Sequence, residues 1–343
     1  MKILAIDIGA GTQDILLFDS EKKIENCISL VLPTPSKIFA GKLKKIEGDV
    51  YIHGDTIGGG SLSKAILYHI QKGYRVVMAE SAAYSIRNDL DEVRSMGIEV
   101  GRRPEPGHFR ELQIQEVDLP FLEDLLSHFG EDLKINVIAI AVQDHGASPK
   151  GVSDRLFRFE NMEDMLRKEN RPEGFHFTED SIPARYLRMR SAVSAVRRST
   201  QVPVLVMDTS FSAILGCMEE AAGPSLIVNV GNGHTIAALL IAKRIEGLYE
   251  HHTHELTPEK LEEELRLFVR GELSGRKVFE ENGHGVITLK PYKGKLSVLV
   301  TGPNRDLFKE TSFKFVYAAP GGNTMMTGPM GLVRAAQFQF GPK

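Results

Sequence analysis

The sequence contains no tryptophan and only two cysteines, Cys27 and Cys217. Two thiols can build neither a disulfide framework nor an all-cysteine zinc site, and an iron–sulfur cluster held by three clustered cysteines is out of reach. Missing tryptophan removes one common stacking residue. Neither sign of charge dominates: 42 Lys and Arg against 45 Asp and Glu leave a formal net charge of −3. That balance argues against wholesale nucleic-acid binding. No apolar stretch nears the roughly 20 residues of a membrane span. Asp7 interrupts the apolar run at the N-terminus, so no secretory signal is expected and the chain reads as cytoplasmic.

What is present is the composition of a globular protein, 42% hydrophobic and 25% charged over 343 residues. Single cores stop growing at about 250–300 residues, so two domains with sizeable cores are expected. The organising stretch is residues 5–19, an apolar strand ending at Asp7, the turn Gly9-Ala10-Gly11-Thr12, then Gln13 and a second apolar strand. Glycines let backbone N–H groups approach an anion closely, and a threonine hydroxyl adds a donor. Asp7 at the strand tip suits a water on a phosphate-bound magnesium ion. An ordinary glycine-turn hairpin is the alternative reading of this segment alone. A second copy weighs against it: residues 226–240 run through Asn229, then Gly231-Asn232-Gly233-His234-Thr235, into another apolar strand.

Between the hairpins, residues 49–53 predict a strand, 54–61 a glycine-rich loop, 62–70 a helix and 74–78 a strand. With a further helix over 82–98, these make 49–110 an inserted subdomain. The glycine loop reads first as a structural turn, with a ligand loop at a helix N-terminus as the alternative. Residues 135–142 predict a buried strand ending in Gln143-Asp144-His145-Gly146, and open α/β sheets place ligands at such ends. Residues 150–181 are charged and irregular and read as a loop or flap over a cleft. Arginines 185, 188, 190, 197 and 198 line a predicted helix over 182–198, either as a solvated face or as a docking face for an acidic partner. A strand over 201–208 ends in Asp208, which suits a helix N-cap. Small residues follow it in a helix over 209–217. Residues 296–304 predict a strand running into Gly302-Pro303, and Gly321-Gly322 precede a last helix over 325–336. His251, His252 and His254, with His284, invite a metal reading, although histidine-rich strand ends are common without metal and no second carboxylate partner is evident.

Taken in order, the two glycine hairpins, the small-residue helices and the Gly302 turn resemble the phosphate 1, connect 1, phosphate 2, adenosine and connect 2 motifs of the superfamily of actin, heat-shock chaperones and sugar kinases. The whole sequence also resembles an uncharacterised prokaryotic family labelled pyruvate formate-lyase activating enzyme-like, a label that two cysteines do not support. The superfamily resemblance implies an α/β fold of two ribonuclease H-like domains, 1–222 and 223–343, facing each other across a nucleotide cleft. It implies ATP and magnesium as ligands. Asp7 would hold the metal through water, Gly9 to Gln13 and Asn229 to Thr235 would cradle the phosphates, and Gly302, Pro303, Gly321 and Gly322 would pass under the nucleoside. Asp208 would orient the attacking water or an acceptor hydroxyl. Gln143, Asp144 and His145 fall where carbohydrate kinases line their substrate cleft.

Most catalytic members begin phosphate 2 with aspartate where this chain has Asn229, which removes a negative charge that helps hold magnesium. The implied function is ATP hydrolysis coupled to activating or remodelling a protein partner. A small-molecule kinase and a non-catalytic nucleotide-responsive scaffold are the alternatives.

Overall fold

The computed structural model describes residues 1–342 apart from Pro106 and Leu133. The first three strands, β1 (Lys2–Ile8), β2 (Thr12–Asp19) and β3 (Ile28–Pro33), form an antiparallel meander. Four short strands follow: β4 (Val50–Gly54), β5 (Val76–Met78), β6 (Glu99–Val100) and β7 (Arg110–Ile114). Among the described residues they pair with one another alone, in parallel and in the order β6-β5-β4-β7. The chain then returns to the first sheet through β8 (Val137–Val142), β9 (His176–Thr178) and β10 (Val204–Met207). That sheet has the order β3-β2-β1-β8-β10-β9, with β8 and β10 parallel to β1.

The second half repeats the plan. Strands β11 (Ser225–Val230), β12 (His234–Ile241) and β13 (Arg244–His252) form the meander, with β14 (Gly285–Thr288) added at its edge. Strands β15 (Ser297–Thr301) and β16 (Val316–Tyr317) run parallel beside β11. Both sheets therefore contain a three-two-one meander followed by two strands parallel to the first, the ribonuclease H-like plan, with β9 added antiparallel at the edge of the first sheet and β14 at the edge of the second. The chain is a pair of such α/β units, the architecture of actin-like ATPases.

Alternation decides the layers. Along β1, Ile3 and Ala5 enter the core shared by both sheets, whereas Leu4, Ile6 and Ile8 pack outward under the helices Leu119–Ser127 and Leu187–Arg197. Two helices run through the shared core: a first crossing helix (Thr209–Cys217) and a second (Thr327–Phe340). They meet at glycines. A Cβ on Gly216 would collide with the Thr327 carbonyl, and one on Gly331 with the Ser212 carbonyl. Among the described residues no helix is long and apolar enough to cross a membrane.

Two local expectations change. The stretch read as an irregular flap contains a 15-residue helix, Asp154–Lys168. Its many charges mask the apolar spacing of Phe159, Met162 and Leu166, which enter the shared core. The helix expected over 82–98 is two short ones, Glu80–Ala83 and Leu90–Ser95, with Asp89 capping the second by accepting from the Asp91 N–H.

The crossing sets a stability test. Gly216→Val should lower the unfolding free energy by about 1–3 kcal/mol or more, because backbone rather than a movable side chain blocks the new atoms. Gly41, in the helix Pro35–Leu43, would bring a Cβ near no other atom, so Gly41→Ala should raise stability by about 0.5–1 kcal/mol. Urea unfolding of both variants checks the pair.

Candidate functional site

The two hairpins close in the same way. The Gly9 N–H donates to the Thr12 carbonyl and the Gly231 N–H to the His234 carbonyl, each at 2.9 Å. Strand register resumes at Ile8 with Gln13 and at Val230 with Thr235, so both turns hold four residues. They face one another so closely that a Cβ on Gly11 would strike the side-chain amide of Asn232. Both turns line one cleft together with Asp7, Asn229, Gly302 and Pro303. The open cleft holds about 170 Å³.

Asp7 forms the floor. The Thr209 hydroxyl donates to its Oδ1 at 2.6 Å, and the second crossing helix starts against its Oδ2, where a Cβ on Gly328 would collide. The first turns of both crossing helices thus converge on this carboxylate, adding their positive ends to a cleft lined by turn N–H groups. Directly opposite Asp7 in the hairpin register stands Asp14, whose Oδ1 is buried without a hydrogen-bond partner. Burial, then the neighbouring Asp14 charge, pushes the Asp7 carboxyl up to about 8, and burial pushes Asp14 up to about 6. Two carboxylates on one face, each costly to ionise alone, make a pair that a cation would stabilise. Asp14 escaped the sequence reading, although an Asp seven residues after Asp7 follows directly from a four-residue turn.

Several residues named from the sequence have other positions. Gln13 turns away from the cleft, and its amide donates to the Pro33 carbonyl at 3.0 Å. Thr235 is fully buried and shares a hydrogen bond with Thr253. Gly321 and Gly322 are not among the residues lining the cleft, and Gly321 lies against Ile24. Asp144 accepts from the N–H groups of Gly146, Arg188 and Met189 at 2.9–3.0 Å, so its carboxylate anchors the helix Leu187–Arg197. Asp208 caps the first crossing helix by accepting from the Ser210 N–H. Its two oxygens also take both terminal nitrogens of Arg158, at 2.8 and 3.1 Å. Arg158 lies on the helix hidden by its own charges, is 2% exposed, and reaches Glu250 of β13 through Nε at 3.0 Å. Burial works to raise the Asp208 carboxyl, but Arg158 outweighs it and holds the group below its ordinary value of 3.8. The carboxylates open to the cleft are therefore Asp7 and Asp14, while Asp208 ties the first half to the second through Arg158.

A second chamber of about 470 Å³ adjoins the cleft at Gly9, Ala10, Gln143, Gly233 and His234. Its walls include His145, Arg188 and the loop Gly58–Gly60 of the four-stranded unit. The arginine-rich helix is largely paired internally: Arg188 meets buried Glu116, Arg197 meets Glu179, and Arg198 meets Asp55. The sequence grouping of histidines is also rearranged. His251 turns into the core and His254 is exposed, whereas His234, His252 and His284 gather with His145.

The family model described as "Putative pyruvate format-lyase activating enzyme (DUF1786)" matches residues 57–307. No curated protein matches the chain. Among solved structures, ethanolamine utilization protein EutJ from Carboxydothermus hydrogenoformans aligns over 97% of this chain and 89% of its own, with 10% identity and a TM-score of 0.39. The activator of the 2-hydroxyisocaproyl-CoA dehydratase from Clostridium difficile, with bound ADPNP, aligns over 100% and 98%, with 8% identity and a TM-score of 0.36. A protein from Sinorhizobium meliloti described as a putative 2-dehydro-3-deoxygalactonokinase aligns over 99% and 98%, with 9% identity and a TM-score of 0.40. The fold assignment rests on the strand order and register given above.

The Arg158 junction is open to test by unfolding. Arg158→Met leaves Asp208 and Glu250 buried without their partner and should cost about 3–5 kcal/mol at neutral pH. A carboxyl held below its ordinary value contributes fully above that value and loses the contribution as pH falls through the lowered one. The gap between wild type and variant should therefore narrow on acidification below pH 3.8.

Proposed function

This chain belongs to the DUF1786 family, and we propose that it binds magnesium–ATP between its two ribonuclease H-like halves and cleaves the terminal phosphoanhydride there. The reading is carried by two glycine turns with the same closing hydrogen bond, which meet over the carboxylates of buried Asp7 and half-buried Asp14 at the starts of two helices. Turn N–H groups and helix N-termini are ligands for anions. On this reading 1–222 and 223–343 are the two domains, and the four-stranded unit is an insertion in the first.

Gly9 to Thr12 would hold one side of the phosphate chain and Gly231 to His234 the other. Asp7 and Asp14 would hold a hydrated magnesium ion, and the unpartnered Asp14 oxygen and the raised carboxyls fit that role. The ion supplies charge neutralisation on the phosphate oxygens, the dominant need in phosphoryl transfer. Gly302 and Pro303 leave room for the nucleoside. Asn229, where most catalytic members carry aspartate, orients a water without adding charge, which favours slow turnover in the absence of a partner. Opening and closing of the small cleft would couple nucleotide state to that partner.

A cluster-dependent radical activase is a poor match to this chain. Cys217 is buried in the shared core, where burial raises its thiol, and Cys27 is half-buried beside Asp19. A small-molecule kinase is the second reading, favoured by the chamber that opens beside the phosphate turns.

Calorimetric titration with ATP, ADP and a non-hydrolysable ATP analogue, with and without magnesium, tests the proposal. Micromolar, magnesium-dependent binding is expected; no binding of any of the three overturns it. Asp7→Asn should weaken the magnesium-dependent binding at least about tenfold, a loss of about 1.4 kcal/mol, with little change in magnesium-free binding. An unchanged magnesium dependence removes Asp7 from the role. ADP release stimulated by a small polyol, in place of a protein, would move the reading to the kinase.

A further inference from the structure

The side chains of His145, His234 and His284 offer nitrogen atoms that all lie within 4.8 Å of one another. His145 follows β8 of the first half, His234 opens β12, and His284 precedes β14, so three strand ends from both halves of the chain meet here. Ring centroids stand 4.8 Å apart for His234 and His284, and 5.6 and 5.7 Å from His145 to each of them. His234 is also the last residue of the second glycine turn.

Two features go beyond proximity. First, Nε2 of His234 and both ring nitrogens of His284 are buried with no hydrogen-bond partner among the described residues. A buried nitrogen left without a partner is destabilising, and three at one point call for a common partner. Second, the surroundings orient the rings. Nδ1 of His234 is 2.6 Å from Nε2 of Gln143, so the amide N–H donates and Nδ1 accepts. Metal binding through Nε2 of His234 requires the Gln143 amide to turn over, so that its oxygen accepts from Nδ1–H, the usual second contact of a metal-bound imidazole. His252, the register partner of His234, places Nδ1 2.7 Å from the Asn282 carbonyl, which leaves its Nε2 a lone pair beside the trio.

The buried ion cluster next to the trio carries one guanidinium, Arg158, against two carboxylates, Asp208 and Glu250, and Arg155, which donates to the Gly283 carbonyl beside His284, adds a second guanidinium, so an incoming cation meets nearly balanced charge.

We propose that His145, His234 and His284 bind a divalent transition metal of the zinc class, held between the two halves of the chain beside the phosphate turns. Three imidazoles are a known ligand set for zinc with an open fourth position. That position would face the 470 Å³ chamber, which His145 and His234 help to line, and would accept an oxygen or nitrogen donor from a small ligand there. Bonds of about 2.0–2.1 Å to a tetrahedral ion would bring the nitrogens to about 3.4 Å apart, a contraction within reach of side-chain rotation. Because the ligands come from both halves, an ion would also oppose opening of the cleft.

The test uses full-length protein without a histidine tag, stripped with chelator and titrated with cobalt(II), then zinc(II). About one cobalt per chain is expected, with visible d–d absorption that zinc abolishes. His145→Ala and His284→Ala should each weaken cobalt binding at least about tenfold, while exposed His254→Ala leaves it unchanged. X-ray absorption of zinc-loaded wild type provides a readout independent of whether the variants fold, and should count three imidazoles. Less than about a tenth of an equivalent of cobalt bound at micromolar concentration, or fewer than two imidazoles on the zinc, overturns the proposal.

Discussion

Two helices approach until a glycine of each lies against the backbone of the other, and the cleft floor follows from that approach. Any side chain at Gly216 or Gly331 would separate the crossing helices and with them the two sheets that share their core. Because the helices start at the same place, their first turns reach Asp7 together, one through the Thr209 hydroxyl and the other through the backbone at Gly328. A carboxylate held at two helix N-termini, with Asp14 across the hairpin, concentrates opposing charges at one point. That arrangement is expensive in a resting protein and useful in one that receives a cation and a polyphosphate together.

The second junction is electrostatic. Arg158 joins the cap of the first crossing helix to β13 of the other sheet by way of Asp208 and Glu250, all three buried. The first junction is apolar and close-packed, and this one depends on complete pairing. Both lie beside the cleft, so under the proposed function a change in nucleotide would be felt at the junctions before it reached the outer layers.

The parts legible in the sequence are those written in local patterns. Gly-x-Gly turns between apolar runs disclosed both hairpins, and their repetition disclosed the paired architecture. Small residues in 209–217 and 325–336 disclosed helices that must touch. What stayed hidden needed register or tertiary contact. Asp14 becomes a site residue only once the turn length sets it opposite Asp7. Arg158 looks like one of many charges on a polar stretch, and nothing local reveals two buried carboxylates waiting for it. Asp208 reads as catalytic by position, but its oxygens are already taken by Arg158 and its own helix. The histidines show the same limit: 251, 252 and 254 are neighbours in sequence, but strand alternation turns 251 into the core and brings 252 to residues 18 and 32 positions away.

The central claim is that two turns more than two hundred residues apart in the sequence grip one ligand. Amide hydrogen exchange read by mass spectrometry, with and without magnesium–ATP, examines both turns at once. Peptides covering residues 9–12 and 231–235 should gain protection together and at the same nucleotide concentration. Protection at one turn alone, or at neither under saturating nucleotide, would contradict a shared phosphate cleft.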